Sequence, residues 1–268
     1  MPDTARPLPA FDTAVPNVAR MYDFMLGGKD NYASDRDAMA KILEIAPETP
    51  QRARLNRAFL GRAVRYVAGQ GVRQFLDVGA GLPTQDNVHQ VAGAVAPDTR
   101  TVYVDNDPVV LAHARALLAT DQQAAVVAGD VRDPAGILGN PMVTKLLDFT
   151  RPVCVLLVAV LHFVPDSADP ARIVAAFRDA IAPGSYLILS HATTEGAPPR
   201  ELTRGSEAES VYDRASAPLR LRDTRQVAPM LDGFSLVEPG LVHVKTWRPN
   251  GPVWNGYDAF LGAVGRKD

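Results

Sequence analysis

The sequence predicts an α/β fold on a mainly parallel sheet, and three observations carry that expectation. After Gly71, short apolar runs alternate with helical segments, as in successive βα units. Asp107-Pro108 and Asp169-Pro170 each place a capping carboxylate before a proline at the first helical position. The chain has 268 residues, 47% of them apolar, which suits one large domain with appendages better than two full domains.

Residues 1–16 lack periodicity and read as a flexible arm. From Asn17 to Ala46 the pattern is helical, with a break at Gly27-Gly28 after which Asp30 or Asn31 restarts the chain as a cap. Thr49-Pro50 opens another helix, with Leu55, Phe59, Ala63, Tyr66 and Val67 at helical spacing. Residues 17–70 thus read as an N-terminal helical cap, and the arginines between Arg52 and Arg73 as its solvated face. Five strands are expected at 74–78, 100–104, 124–128, 153–158 and 185–190. Ile173, Val174, Phe177 and Ile181 share one helix face, and Pro183-Gly184 stops that helix. The polar stretch 193–225 is long for a connector and reads as a lid-like insertion or a surface excursion. Segments 234–237, 241–244 and 258–264 read as closing, antiparallel strands of a domain spanning 71–268.

A net charge of −2 argues against binding driven by the phosphates of nucleic acid or of an anionic membrane. The longest apolar run, Val153 to Val164, contains His162 and is too short to span a bilayer. Residues 1–16 hold no signal-peptide pattern, and a single cysteine fits a reducing compartment, so a cytoplasmic location is expected. Cys154 reads as a nucleophile or as a small buried hydrophobe, and its flanking Val153 and Val155 favour the second. No histidines or cysteines have metal-ligand spacing, so no metal is expected.

The chemistry concentrates where the first strand ends. Phe75-Leu76-Asp77-Val78-Gly79-Ala80-Gly81 runs from an apolar strand into a turn with glycines two apart, and Pro83-Thr84 follows. Such glycines let a ligand approach the backbone at the carboxyl end of a strand. Asp77 would repel a pyrophosphate but suits an ammonium or a sulfonium, and Thr84 stands where a dinucleotide fingerprint has its third glycine. Both departures argue against a nicotinamide-dependent oxidoreductase. Asp105 ends the second strand, where a carboxylate can accept from both ribose hydroxyls, while Asp107 before Pro108 reads as a helix cap. Gly129-Asp130-Val131 follows the third strand, where a carboxylate can accept from an adenine amino group and a backbone N–H can read a ring nitrogen. Three acidic strand ends in series describe a nucleoside with a cationic amino-acid tail.

On these residues the chain resembles the class I S-adenosylmethionine-dependent methyltransferases over residues 73–190. The stretch from Asn17 to Tyr32, with Gly79-Ala80-Gly81-Leu82-Pro83-Thr84, Asn87-Val88-His89 and Trp247-Arg248-Pro249, resembles an actinobacterial S-adenosyl methyltransferase family of unassigned substrate. The resemblance implies a Rossmann-like, seven-stranded, mainly parallel sheet with an antiparallel last strand. It implies S-adenosylmethionine as cofactor, S-adenosylhomocysteine as product and a small-molecule methyl acceptor. Asp77, Gly79 and Gly81 would hold the methionine end, Asp105 the ribose, and Asp130 with Val131 the adenine; Asn106 and Ala159 join this set. Tyr22, Gly28 and Asn31 would cover the cofactor from the N-terminal segment. His162 and His191 lie past strands at the ligand edge, each either a general base or a structural histidine, and no base is assigned. A non-catalytic S-adenosylmethionine-binding sensor or partner protein is the alternative reading.

Overall fold

Among the described residues of the computed structural model (12–83, 86–118 and 123–268), eight strands form one sheet. They are β1 (Gln74–Val78), β2 (Arg100–Asp105), β3 (Ala124–Ala128), β4 (Cys154–Val158), β5 (Tyr186–Ala192), β6 (Ser235–Leu236), β7 (Val242–His243) and β8 (Phe260–Arg266). The order is β3-β2-β1-β4-β5-β8-β6, with β7 also on β8. Strands β1 to β5 are parallel, and β8 runs antiparallel to β5 over Tyr186↔Arg266 to Ala192↔Phe260. Residues 1–11 of the expected arm, and Thr84, lie outside the described residues.

The count of eight corrects the expected seven. Beyond β8 the edge is split in two: β6 pairs near Arg266, and β7 pairs near Gly262. Glu238-Pro239-Gly240 lies between them, and a proline offers no N–H to a ladder.

The helices are α1 (Val18–Met25), α2 (Ala33–Ile45), α3 (Thr49–Gly69), α4 (Val88–Val95), α5 (Pro108–Leu117), α6 (Pro134–Leu138), α7 (Pro141–Leu146), α8 (Pro170–Ala180), α9 (Pro199–Tyr212) and α10 (Thr224–Val227). Their starts follow local chemistry. Asp107 Oδ1 accepts from Val109 N at 2.6 Å and Asp169 Oδ1 from Arg172 N at 3.1 Å, each ahead of a first-turn proline. At α3 the cap position is Glu48, because the Thr49 hydroxyl donates back to Ala46 O at 2.7 Å.

Both sheet faces are covered, so the central strands are mostly apolar. Val153, Val155 and Leu157 pack with Ile173 and Phe177 of α8, while Cys154, Leu156 and Val158 pack with Phe59 and Val64 of α3. Cys154 is fully buried in that second core, and burial pushes its thiol pKa well up, as a small hydrophobe and not as a nucleophile. Helix α3 is therefore a layer of the sandwich. Trp247, also fully buried, meets Phe59 edge to face with ring centroids 5.5 Å apart.

This packing overturns the reading of the Arg52–Arg73 run as a solvated face. Arg54 and Arg65 are exposed, but Arg52 is buried against Glu201 at 2.5 Å and Tyr257 O at 3.0 Å. Arg62 donates to the carbonyls of Trp247 and Val244 at 2.9 and 2.7 Å. Spacing shows which residues share a helix face, but not what lies opposite them.

The insertion 193–225 carries α9, which lies against α2. Ser216 ties the insertion to α1, its hydroxyl accepting from Val18 N at 3.2 Å and its N–H donating to Pro16 O at 2.8 Å. No helix among the described residues is long and apolar enough to cross a membrane.

Candidate active site

The strand order reverses between β1 and β4, and open α/β sheets bind ligands at such a point, outside the carboxyl ends of the strands. A cavity of about 640 Å³ lies there. Of the residues singled out from the sequence, Tyr22, Asp77, Gly79, Gly81, Asp105, Asn106, Asp130, Val131 and Ala159 line it.

The floor is built from backbone. Gly79 and Gly81 adopt φ of +78° and +67°, conformations that side chains resist. Gly79 N–H and Ala80 N–H both donate to Val104 O, at 2.8 and 3.1 Å, which folds the turn against β2. A Cβ on Gly79 would lie 2.5 Å from Val160 Cγ2, whereas one on Gly81 would meet nothing within 4 Å. Gly79→Ala should therefore cost roughly 2–4 kcal/mol, from left-handed strain plus overpacking. Gly81→Ala should cost only the strain term. Denaturant unfolding of both variants checks this; equal losses would refute the packing argument. Ala159, just past β4, holds φ +55° while its N–H reaches Ser190 Oγ at 3.0 Å, a strained residue where the cavity opens.

The three carboxylates differ. Asp77 is buried, and burial first, then the neighbouring Asp105, raises its pKa to about 7 against the pull of Arg57. Asp105 accepts from Gly81 N at 2.8 Å and Asp107 N at 2.9 Å, which aims the carboxylate along the glycine turn; burial raises its pKa as well. Asp130 is held by Arg132, with Nε–Oδ1 at 2.9 Å and Nη2–Oδ2 at 2.5 Å, and these bonds keep its pKa below the usual carboxylate range.

Four residues from the sequence reading lie elsewhere or differ in character. Gly28 and Asn31 do not line the cavity but wrap Asp23. Asn31 Nδ2 donates to Asp23 Oδ2 at 3.0 Å and to Gly28 O at 3.1 Å, and a Cβ on Gly28 would collide with the Asp23 carboxylate. His191 is fully buried with both ring nitrogens partnered: Nδ1–H donates to Ala192 O at 2.7 Å, and Nε2 accepts from Arg222 Nη1 at 2.9 Å. Burial and Arg222 hold its pKa at about 4, so it stays neutral and has no nitrogen left for a proton. His162 lines a second, smaller cavity.

The cavity also holds residues that the sequence reading did not assign to it. Asn56 and Arg57 enter it from α3, and Arg20 from α1. Asn56 Nδ2 donates to the Tyr22 hydroxyl at 3.1 Å, leaving Oδ1 buried with no partner among the described residues. Arg57 donates to Asp86 O at 3.1 Å. A polar residue on the apolar face of α3, beside Phe59 and Leu60, is the one local signal for Asn56.

An orphaned acceptor, a buried carboxylate with a raised pKa and a glycine turn folded against β2 together suit a cation-bearing nucleoside. The profile of the family described as "S-adenosyl methyltransferase" matches residues 4–268. The chain belongs to that family. Two solved structures match it at 40% identity: a candidate methyltransferase from Thermobifida fusca YX (TM-score 0.89, covering 98% of this chain and 99% of that one) and a DUF574 family protein from Streptomyces avermitilis MA-4680 (0.90, 96% and 99%). An O-methyltransferase family protein from Burkholderia thailandensis shares the fold at 15% identity and TM-score 0.51, covering 84% of this chain and 61% of that one. No curated protein matches the chain. The enzyme is thus a Rossmann-like, S-adenosylmethionine-dependent methyltransferase, and the comparisons lend no support to a sensor or a nicotinamide-dependent oxidoreductase. Among the described residues, no group of three His, Cys, Asp or Glu is placed to hold a metal.

Proposed function

We propose that this methyltransferase acts on a small molecule, with S-adenosylmethionine seated in the 640 Å³ cavity. Asp77 and Asn56 Oδ1 would take the methionine ammonium, Arg57 its carboxylate, and Asp105 the ribose. Asp130, sharing its carboxylate with Arg132, and Val131 would take the adenine edge. The observation that carries this reading is the pair of buried acceptors, Asp77 and Asn56 Oδ1, whose residues both line the cavity. When bound, the cofactor supplies a methyl group on a sulfonium. The chain's own work is to hold the two reactants in line and to exclude water. Tyr22 and residues 216–218 line the cavity from outside the sheet, and in this reading 17–70 and 193–225 form its roof. A cavity of this size, roofed in this way, suits a small acceptor better than a polymer. A reducing, cytoplasmic setting fits the single buried thiol.

Calorimetry with S-adenosylmethionine tests the assignment. Wild type should bind, and Asp105→Ala should weaken binding roughly 10- to 100-fold through lost hydrogen bonds to the ribose. Unchanged affinity would remove Asp105 from the site. Turnover to S-adenosylhomocysteine with a metabolite pool but not with tRNA or DNA would support the small-molecule acceptor, and the reverse would overturn it.

A further inference from the structure

Val18, Tyr22 and Phe163 line both the cofactor cavity and a second cavity of about 110 Å³, so the two are neighbours. An engineered apolar cavity of about 150 Å³ holds one benzene ring, so this one has the scale of a single ring. Apolar and aromatic side chains from α1, α2 and β8 wall it, among them Met25, Ile42 and Phe260. Its charged members are paired: Glu201 with Arg52 at 2.5 Å and with Arg204 at 2.7 Å, and Arg204 also reaches Glu48, outside the lining, at 3.4 Å.

The hydroxyls of Tyr22, Thr49, Thr193 and Tyr257 in the lining all bond to the protein, and His162 and Tyr212 line the cavity beside them. His162 is 4% exposed, and its Nδ1 accepts from Ala192 N at 3.2 Å, which puts the proton of the neutral ring on Nε2. Tyr212 is 6% exposed. Neither the His162 Nε2–H nor the Tyr212 hydroxyl has a partner among the described residues, and both residues line the cavity. The groups around His162 are His191 and Arg222 on one side and Phe163 and Phe260 on the other. Burial, then His191 and Arg222, hold its pKa far below the usual histidine range, so it offers an N–H and takes no proton. An oxyanion on one ring would find two donors in this lining, the His162 Nε2–H and the Tyr212 hydroxyl.

We propose that this second cavity is the acceptor site and that it takes a single-ring phenol as its phenolate, the oxygen held by His162 Nε2–H and the Tyr212 hydroxyl. The inference rests on the cofactor reading above and adds the acceptor class. The phenol proton goes to solvent before binding. The phenolate oxygen then bonds to the methyl carbon as that carbon's bond to sulfur breaks, and the bonding pair stays on sulfur. A neutral aryl methyl ether and a neutral thioether leave, and no protein base takes part.

The probe is 4-nitrophenol, whose phenolate is coloured, added to protein saturated with S-adenosylhomocysteine. It should bind as phenolate at pH values where the free compound is still partly protonated. Tyr212→Phe, which keeps the ring, should weaken binding roughly tenfold. Ala208→Phe, which fills the cavity, should abolish it with S-adenosylmethionine affinity unchanged. Across substituted phenols, the inflection of kcat/KM with pH should follow each phenol's own pKa. A neutral bound phenol, binding insensitive to both variants, or an inflection that stays put across the series would overturn the proposal. If S-adenosylmethionine binds and no phenol does, this inference alone falls. If S-adenosylmethionine itself does not bind, the cofactor reading falls too.

Discussion

Asp77→Asn should stabilise the ligand-free enzyme and weaken its hold on S-adenosylmethionine. Burial lifts the Asp77 pKa from 3.8 to about 7, so between those values the native chain holds a proton that the unfolded chain has released. Stability therefore falls as pH rises through that window, and above it the full cost is present. One pKa unit is about 1.36 kcal/mol, which bounds the cost near 4 kcal/mol. Asparagine removes the charge but brings an amide that must also leave water, so a gain of about 1–3 kcal/mol at pH 8 is expected. A cationic ligand reverses the balance, because it needs the ionised carboxylate. Wild-type affinity should climb as pH rises towards about 7, with up to one proton released per binding event below it, and level off above. In Asp77→Asn that dependence should vanish, with affinity at pH 8 lowered roughly 10- to 100-fold. Thermal melts, and calorimetry in buffers of different ionisation enthalpy, measure both. A variant that binds as tightly as wild type would show that Asp77 does not meet the cation.

The second large effect is structural. Arg20 is 2% exposed and Asp35 fully buried, with Nε to Oδ2 at 2.8 Å, and Arg20 Nη1 reaches the cap residue Asp107 at 3.3 Å. Asp35 also accepts from Asn17 N and Tyr32 N, both at 2.8 Å, so one carboxylate closes the starts of α1 and α2. Asp35→Ala would leave a buried guanidinium half-paired and strand two backbone donors. A loss of about 3–5 kcal/mol is expected. Because Arg20 lines the cavity proposed to hold S-adenosylmethionine, affinity for that cofactor should fall with it. Replacing both partners, as Arg20→Met with Asp35→Leu, should recover much of the stability, since it removes the buried charge instead of orphaning it. A loss under 1 kcal/mol for Asp35→Ala by denaturant titration would refute the clamp.

Much of the site was legible because its signals are local. The glycine turn after β1 is written in φ, which Gly79 and Gly81 alone among nearby residues adopt freely, and the Asp107 cap in a bond to Val109 two residues on. Strand ends follow from apolar runs, so Asp77, Asp105 and Asp130 could be placed in series before any contact was known. The outer edge was harder to read. Two two-residue strands around Glu238-Pro239-Gly240 have too little pattern to be counted, hence seven expected strands against eight.

The sequence by itself thus determined the parallel sheet, the glycine floor and the acidic strand ends, since each depends on residues within a few positions of one another. Only the tertiary structure decided the rest. His191 is paired by Arg222, 31 residues on, and Arg52 is buried by Glu201, 149 residues on. Gly28 and Asn31 carry a family-like signature, yet they turn inward: Asn31 donates to the Asp23 carboxylate, Gly28 N–H to the Asp23 backbone carbonyl, and that carboxylate fills the space a Gly28 Cβ would need. Asn56 lines the 640 Å³ cavity only because α3 is a layer of the sandwich. In each case the partner is distant in sequence, and hydrophobic periodicity shows that a face is covered without showing by what.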